Sequence, residues 1–383
     1  MMKKRLLDLP EANDYDYERM KTLFPELEAM KEAEQNPAYH GEGNAETHTR
    51  LVCRAVTELP EWTGLGKEER GIIYLSALFH DIGKPVCTKL ENGVFVSPKH
   101  TVTGSKIFRR MIYKKYASQY EVSFREREEI AWLIRYHGLP LHFWDRDRAE
   151  ARLCRAAESV RLPLLYMLSK ADILGRICED TEDLLCNVEC FREYGREINC
   201  YEGKPEFACD YTRFKYYNDD FGGGSSRIGR GIPLFDETEF TVFLMAGLPL
   251  AGKDTYIGEN LKEIPVVSLD DIRQEWGVNP ADGSGAVADE ARKRARVFLR
   301  RKESFVWDAT NTVLSTRQKL RRLFEDYGAR VITVYVEAPY EELLRRNKKR
   351  DRSVPEAVID RMLEKMDMVE PSEGYGVIYA VGV

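Results

Sequence analysis

Apolar positions follow two regimes along the chain. Up to about residue 217 they recur at three- and four-residue spacing, clearest over 126–136 and 163–174, which predicts helices. Residues 75–82 (Leu-Ser-Ala-Leu-Phe-His-Asp-Ile) read as a buried helix stopped by Gly83 and Pro85. Strand-like alternation in this half is confined to 93–96. Three consecutive glycines and two serines then lie within 219–233, a composition that packs into no regular element and marks a linker. Beyond it, short β-branched or aromatic runs at 240–246, 264–269, 304–307 and 330–336 alternate with helical stretches. That alternation predicts a parallel sheet with crossover helices. The predicted organisation is an all-α bundle over 1–218, a linker over 219–238 and an α/β domain over 239–383.

Composition changes this picture only at its edges. A chain of 383 residues with 43% hydrophobic and 32% charged residues supports two or three folded domains. The basic start, Met1 to Leu7, meets Asp8, Pro10 and Glu11 before any apolar run, which predicts no secretory signal. No stretch has the apolar length of a membrane span. The eight cysteines form no C-x-x-C pair, and Cys186 and Cys190 have only a helical i, i+4 spacing. The expectation is reduced thiols in a cytoplasmic protein. A net charge of -6 argues against a general nucleic-acid binder. Basic residues nevertheless gather late, at 292–302, 317–322 and 345–352, so a local positive surface is expected.

Candidate chemistry in the first half rests on His48, His80-Asp81, His100, His137 and Asp172. Imidazoles and carboxylates from separate helices suit divalent transition metals with positions open to water. The pattern H…HD…D resembles the HD phosphohydrolase superfamily over 38–180. The resemblance implies that Asp81 bridges two ions, with His48, His80 and Asp172 on one and His100 and His137 on the other. Such a pair activates water and neutralises phosphoryl oxygens. Manganese, cobalt, nickel, copper, iron and zinc all suit these ligands. His40 and His142 read as ordinary polar residues or substrate contacts. Lys84 reads either as a substrate-phosphate contact or as a cation on a helix C-terminus.

In the second half, residues 247–255 read G-L-P-L-A-G-K-D-T. Following a strand and preceding a helix, Gly247, Gly252 and their neighbours aim backbone N–H groups at phosphate oxygens, with Lys253 reaching the transferring phosphoryl group. Asp254 stands where a magnesium-binding Ser or Thr is usual, so either Asp254 or Thr255 takes that role. Ser268-Leu-Asp-Asp-Ile-Arg, Trp307-Asp-Ala-Thr-Asn311 and the 344–350 run complete a set that resembles the P-loop 5′-hydroxyl polynucleotide kinases over 240 to about 375. That resemblance makes Asp270 the general base and sets Arg273 on the acceptor phosphate. It places Arg350 and Arg346 in the lid over the γ-phosphate, Asp308 as a metal-organising carboxylate, and Thr310 and Asn311 on acceptor or nucleotide. Asp270 or Asp271 capping a helix from Ile272 is the plainer alternative.

The order of the two halves resembles the bacterial HD-Pnk end-healing enzymes. The implied fold is an all-α HD-type bundle followed by an α/β P-loop kinase domain with a parallel sheet. The implied activities are hydrolysis of 2′,3′-cyclic phosphate and 2′- or 3′-phosphate ends, and transfer of the γ-phosphate of ATP or another NTP, with Mg2+, to 5′-hydroxyl ends. RNA or DNA ends would be the partners, with a ligase acting downstream. A nucleotide phosphohydrolase fused to a small-metabolite kinase, and a nucleotide-sensing module without chemistry, are the rival expectations.

Overall fold

The computed structural model describes residues 3–144, 147–218, 228–278, 284–349 and 353–382. They form two compact units that divide between Glu206 and Phe207.

The first unit is helical. Helix α1 (Ala45–Glu58) begins at Asn44, whose side chain accepts the Thr47 amide at 2.9 Å. It buries Ala45, His48, Thr49, Val52, Cys53 and Val56, one stripe at helical spacing. Helix α2 (Lys67–Phe79) is buried without a break from Gly71 to Phe79, as a helix surrounded by others must be. It packs against α1, α4 (Phe124–Tyr136) and α5 (Leu162–Leu174), while α3 (His100–Arg110) lies along α4. Ser123 and Glu126 close a capping box at the start of α4. The short alternation at 93–96 is one arm of a hairpin, Lys89–Glu91 pairing antiparallel with Val94–Val96. All eight cysteines are free, and Cys186 and Cys190 are exposed on α6 (Thr181–Glu197).

The second unit opens with α7 (Asp210–Asn218), which the periodicity places inside 1–218. The structure assigns it to the second unit instead. Arg213 donates to the Pro371 carbonyl at 2.7 Å, Arg321 donates to Asn218 Oδ1 at 2.7 Å, and the Phe214 ring lies 5.7 Å from that of Tyr375. Helical spacing shows that a segment coils but not which core it joins. The segment expected as a linker, 219–238, therefore falls within the second unit and not between the two. Residues 219–227 lie outside the described ones, and Thr212 ties the chain beyond them by donating to the Ile232 carbonyl at 2.7 Å and accepting the Leu234 amide at 3.1 Å.

Five parallel strands form the sheet: β1 (Phe240–Ala246), β2 (Val266–Ser268), β3 (Phe305–Asp308), β4 (Ala329–Glu337) and β5 (Gly376–Val381), ordered β2-β3-β1-β4-β5. Helices α8 (Lys253–Asn260), α9 (Leu269–Trp276), α10 (Ser284–Arg301), α11 (Leu314–Glu325) and α12 (Tyr340–Lys348) lie between successive strands. Strand β5, an apolar run absent from the expected strands, pairs with β4 from Ile332↔Gly376 to Glu337↔Val381. Ligand sites in such sheets lie at the carboxyl ends of the strands, and the loops after β1, β2 and β3 carry the candidate residues. No helix among the described residues is long and apolar enough to cross a membrane.

Candidate functional site

Helix ends bring the first set of residues together. His48 lies on the first turn of α1, and His80-Asp81 directly follows α2. His100 opens α3, His137 directly follows α4, and Asp172 lies on the last turn of α5. All but His100 are almost wholly buried. The two oxygens of Asp81 face different histidines: Oδ2 lies 3.2 Å from His80 Nε2 and 3.8 Å from His48 Nε2, while Oδ1 lies 3.4 Å from His100 Nε2 and 4.0 Å from His137 Nε2. His48 Nε2 is also 2.9 Å from Asp172 Oδ1. Two of the metal-competent groups among the described residues are therefore His48, His80 and Asp172, and Asp81, His100 and His137.

The opposite ring nitrogens decide the tautomers. Nδ1 of His80 donates to the Ala77 carbonyl (2.8 Å), that of His100 to the Ser97 carbonyl (2.8 Å) and that of His137 to the Ile134 carbonyl (2.9 Å). Nδ1 of His48 donates to Glu42 Oε1 (2.9 Å). Carbonyl and carboxylate oxygens only accept, so each ring keeps its proton on Nδ1 and turns Nε2 inward, the arrangement of metal-ligating histidines. Burial, then the neighbouring His80, pushes His137 down to about 3, and burial also lowers His100, so both are neutral near pH 7. Against burial, the Asp172 and Glu42 carboxylates hold the His48 imidazole above its usual value. Against burial, Lys84 and the histidines hold Asp81 well below the carboxylate range. The buried His80 Nε2 and Asp81 Oδ1 have no hydrogen bond of good geometry. Orphaned acceptors beside lone pairs fit divalent cations and little else. Lys84 is not a helix C-terminal cation. It opens the short helix Lys84–Cys87, and its ammonium pairs with Asp81 Oδ2 at 2.6 Å.

The second set surrounds the loop between β1 and α8. Gly247 has φ +148°, and a Cβ there would lie 2.3 Å from the Val336 carbonyl oxygen, so only glycine fits. Gly252, with φ +106°, caps α8, and Lys253 folds back so that Nζ donates to the Leu248 carbonyl at 3.2 Å. Asp254 and Thr255 are both exposed on the first turn of α8. The chain after β3 braces the loop: Asn311 Nδ2 donates to the Met245 carbonyl at 2.7 Å, and the Thr310 carbonyl accepts the Gly247 amide at 2.9 Å. Asp308, at the end of β3, is pushed up to about 6 by burial, against the pull of Lys253 and with the charges of Asp254 and Asp270 adding. That coupling places the four groups in one field.

Helix α9 begins earlier than Ile272, and its cap is Ser268, whose hydroxyl accepts the Asp271 amide at 3.2 Å. Capping therefore does not occupy Asp270, which is 72% exposed and accepts from Arg273 Nη1 at 2.6 Å. Arg346 donates to the Leu250 carbonyl of the loop at 3.1 Å and to Glu342 at 2.7 Å. Arg350 lies outside the described residues.

Family models match both regions: the HD domain over residues 46–177 and the AAA domain over residues 242–369. The chain joins an HD domain to an AAA-type P-loop domain. Among curated proteins, the L-seryl-tRNA(Sec) kinase of Methanococcus maripaludis is 28% identical over 133 residues, 33% of this chain and 52% of that protein. The chain thus spans about half the length of that relative. A solved structure described as a putative kinase from Chloroflexus aurantiacus aligns over 38% of this chain and 89% of its own at 15% identity, with a TM-score of 0.31, too low to bear on fold or function.

Two residues of the HD region carry no sequence signal. Glu42, before the matched segment, is 1% exposed on its side chain; Oε1 accepts from Nδ1 of both His40 (2.8 Å) and His48 (2.9 Å), and Oε2 accepts the Ile177 amide at 2.9 Å. Burial lowers His40 to about 4, so this ring is a neutral neighbour, and together with Glu42 and His48 it forms the third metal-competent group. Arg176 grips Asp172 through Nη2 to Oδ2 at 2.7 Å and Nε to Oδ1 at 3.2 Å. His142 is exposed and belongs to no metal-competent group among the described residues.

Proposed function

We propose that this chain heals broken nucleic-acid ends, removing phosphate from the 2′,3′ terminus with its HD domain and adding phosphate to the 5′ terminus with its P-loop domain. The observation that carries the kinase half is the exposed, uncapped carboxylate of Asp270 beside the phosphate loop. It takes the proton of the 5′-hydroxyl as that oxygen bonds to the γ-phosphorus and the bond from the γ-phosphorus to the β–γ bridging oxygen breaks, releasing nucleoside diphosphate. Arg273 and Lys253 hold phosphates, Arg346 and Arg350 close over the γ-phosphate, and Asp308 with Asp254 or Thr255 organises Mg2+.

In the HD domain, His48, His80 and Asp172 would hold one divalent cation and His100 and His137 the other, with Asp81 between them. Two such cations, when bound, supply Lewis acidity and lower the pKa of water. Lys84, buried beside Asp81, meets the phosphoryl oxygens of the terminus. Water opens the cyclic ester and then releases inorganic phosphate, leaving the hydroxyl that a ligase needs.

The test supplies one strand bearing a 5′-hydroxyl and a 2′,3′-cyclic phosphate, with ATP and a panel of divalent metals, and analyses both termini. End healing yields a 5′-phosphate and a free 2′,3′ diol on the same strand. Phosphorylation of a free nucleoside but not of the strand would establish the small-metabolite rival. The name of the M. maripaludis relative favours a second acceptor, a hydroxyl carried on an aminoacylated RNA. Including seryl-tRNA in the same assay separates the two.

A further inference from the structure

Most cations of the late basic runs are spent inside the P-loop domain. Arg317 is fully buried against Glu373 at 2.6 Å, Arg321 pairs with Glu325, Arg294 with Glu275 and Glu290, and Arg345 with Glu342. Arg292 on α10 and Lys319 on α11 are placed differently. They come from two separate runs and meet across one cavity of about 250 Å3. Arg292 also pairs with Asp289 one turn away, a contact as exposed and as screened by water as those of Arg294 and Arg345. Leu269, Trp307, Leu320 and Leu323 supply apolar walls. Leu269 directly precedes Asp270, and the cavity also reaches Asn311, the residue that braces the phosphate loop. Trp307 is 2% exposed, so its indole forms part of the packed apolar floor.

Resting on the end-healing reading, we infer that this cavity seats a nucleobase at the 5′ end of the acceptor strand, with Arg292 and Lys319 on the adjoining phosphodiesters. Apolar walls suit the faces of a ring, and two cations at the rim suit a backbone rather than a free nucleoside. The volume lies below the roughly 300–1,000 Å3 that whole drug-sized ligands occupy, so one ring system is the matching occupant.

The experiment uses the full chain and a 5′-hydroxyl oligonucleotide, with kinase kinetics measured against salt. Arg292→Ala with Lys319→Ala raises the oligonucleotide KM, leaves kcat unchanged, and flattens the slope of log(kcat/KM) against log salt by about two, one per phosphate contact. Leu323→Trp fills the cavity without changing charge. In wild type, an abasic 5′ nucleotide raises KM; in Leu323→Trp, the normal and abasic strands become equivalent. Circular dichroism melting and cyclic-phosphate hydrolysis serve as folding controls. Should both variants keep the wild-type oligonucleotide KM and salt slope, the inference fails while the end-healing reading stands. A rise in the KM for ATP alone would mean that the cavity holds the donor nucleotide, and would overturn it too. A wild-type protein that phosphorylates no oligonucleotide removes the end-healing reading itself, and this inference with it.

Discussion

Glu42 shows how far the geometry of the histidine cluster rests on a residue that the sequence pattern does not mark. Its shared oxygen fixes the proton of His48 on Nδ1, and its other oxygen ties the turn before α1 to the Ile177 amide. Loss of such a partner costs about 10- to 100-fold in metal affinity. Glu42→Ala is therefore expected to weaken binding of Mn2+ or Zn2+ by that factor in calorimetric titration of the metal-free protein, with Glu42→Gln intermediate; unchanged affinity in both would remove the role. The meeting of His48, His80 and Asp172 was legible because residue type and order alone point to it. Glu42 sits between two glycines in a polar stretch and gains its role only when the chain folds back on residue 177. Asp308 makes the opposite kind of prediction. Its carboxyl keeps a proton up to about pH 6 in the native state but only to about 3.8 when unfolded. The native state thus binds more protons between those values, stability falls as pH rises through them, and a constant penalty remains above pH 6. Asp308→Asn escapes that penalty, at most about 3 kcal/mol. Its melting temperature should exceed that of wild type at pH 8 and match it at pH 4, while kinase activity is lost. Equal melting temperatures at pH 8 would mean that the carboxylate carries no such strain.

Among elements, the crossing of the His80-Asp81 turn with α3 sets the second half of the metal cluster. A Cβ at Gly83 would lie 2.2 Å from the His100 carbonyl oxygen and 2.7 Å from the Gly104 amide nitrogen, both of them backbone atoms with nowhere to go. Gly83→Ala must push α3 away, carrying His100 off Asp81 while leaving His48, His80 and Asp172 in place. The expected outcome is a fall from two bound ions to one by elemental analysis, in a protein that still melts cooperatively. Two ions retained with wild-type affinity would show that α3 does not set the site. Helices α4 and α5 were legible almost to their ends because their apolar residues recur at three- and four-residue spacing, although the fold buries each almost all round. The start of α9 was not, because Ser268 competes with two aspartates as a cap and the sequence favours none of the three. Strand β5 was not foreseen although Val377 to Val381 is an apolar, β-branched run; it lies at the sheet edge with half its residues exposed, and its pairing with β4 is what the sequence does not show.

For the whole molecule, two compact units with separate cores and separate ligand sets mean that each site stabilises only the unit that contains it. The units were legible as a switch from helical to strand-like periodicity, but their border was not. Segment 207–218 reads as helix on either side of it, and the contacts of Arg213, Phe214 and Asn218 with residues 321 to 375 decide the matter. A ligand that binds only the native state adds about 2.7 kcal/mol at a concentration of 100 Kd. Calorimetric melts with Mn2+ alone should therefore raise the unfolding step of the HD unit, through cations held by the buried imidazoles and carboxylates around Asp81. A non-hydrolysable ATP analogue with Mg2+ should raise the step of the P-loop unit. Asp81→Asn should abolish the first shift and keep the second, and Lys253→Ala should do the reverse. In parallel assays, Asp81→Asn should lose cyclic-phosphate hydrolysis while labelling 5′ ends normally, and Lys253→Ala should lose labelling while hydrolysing normally. If either variant lost both shifts or both activities, the two chemistries would depend on one another, and independent healing of the two ends would be untenable.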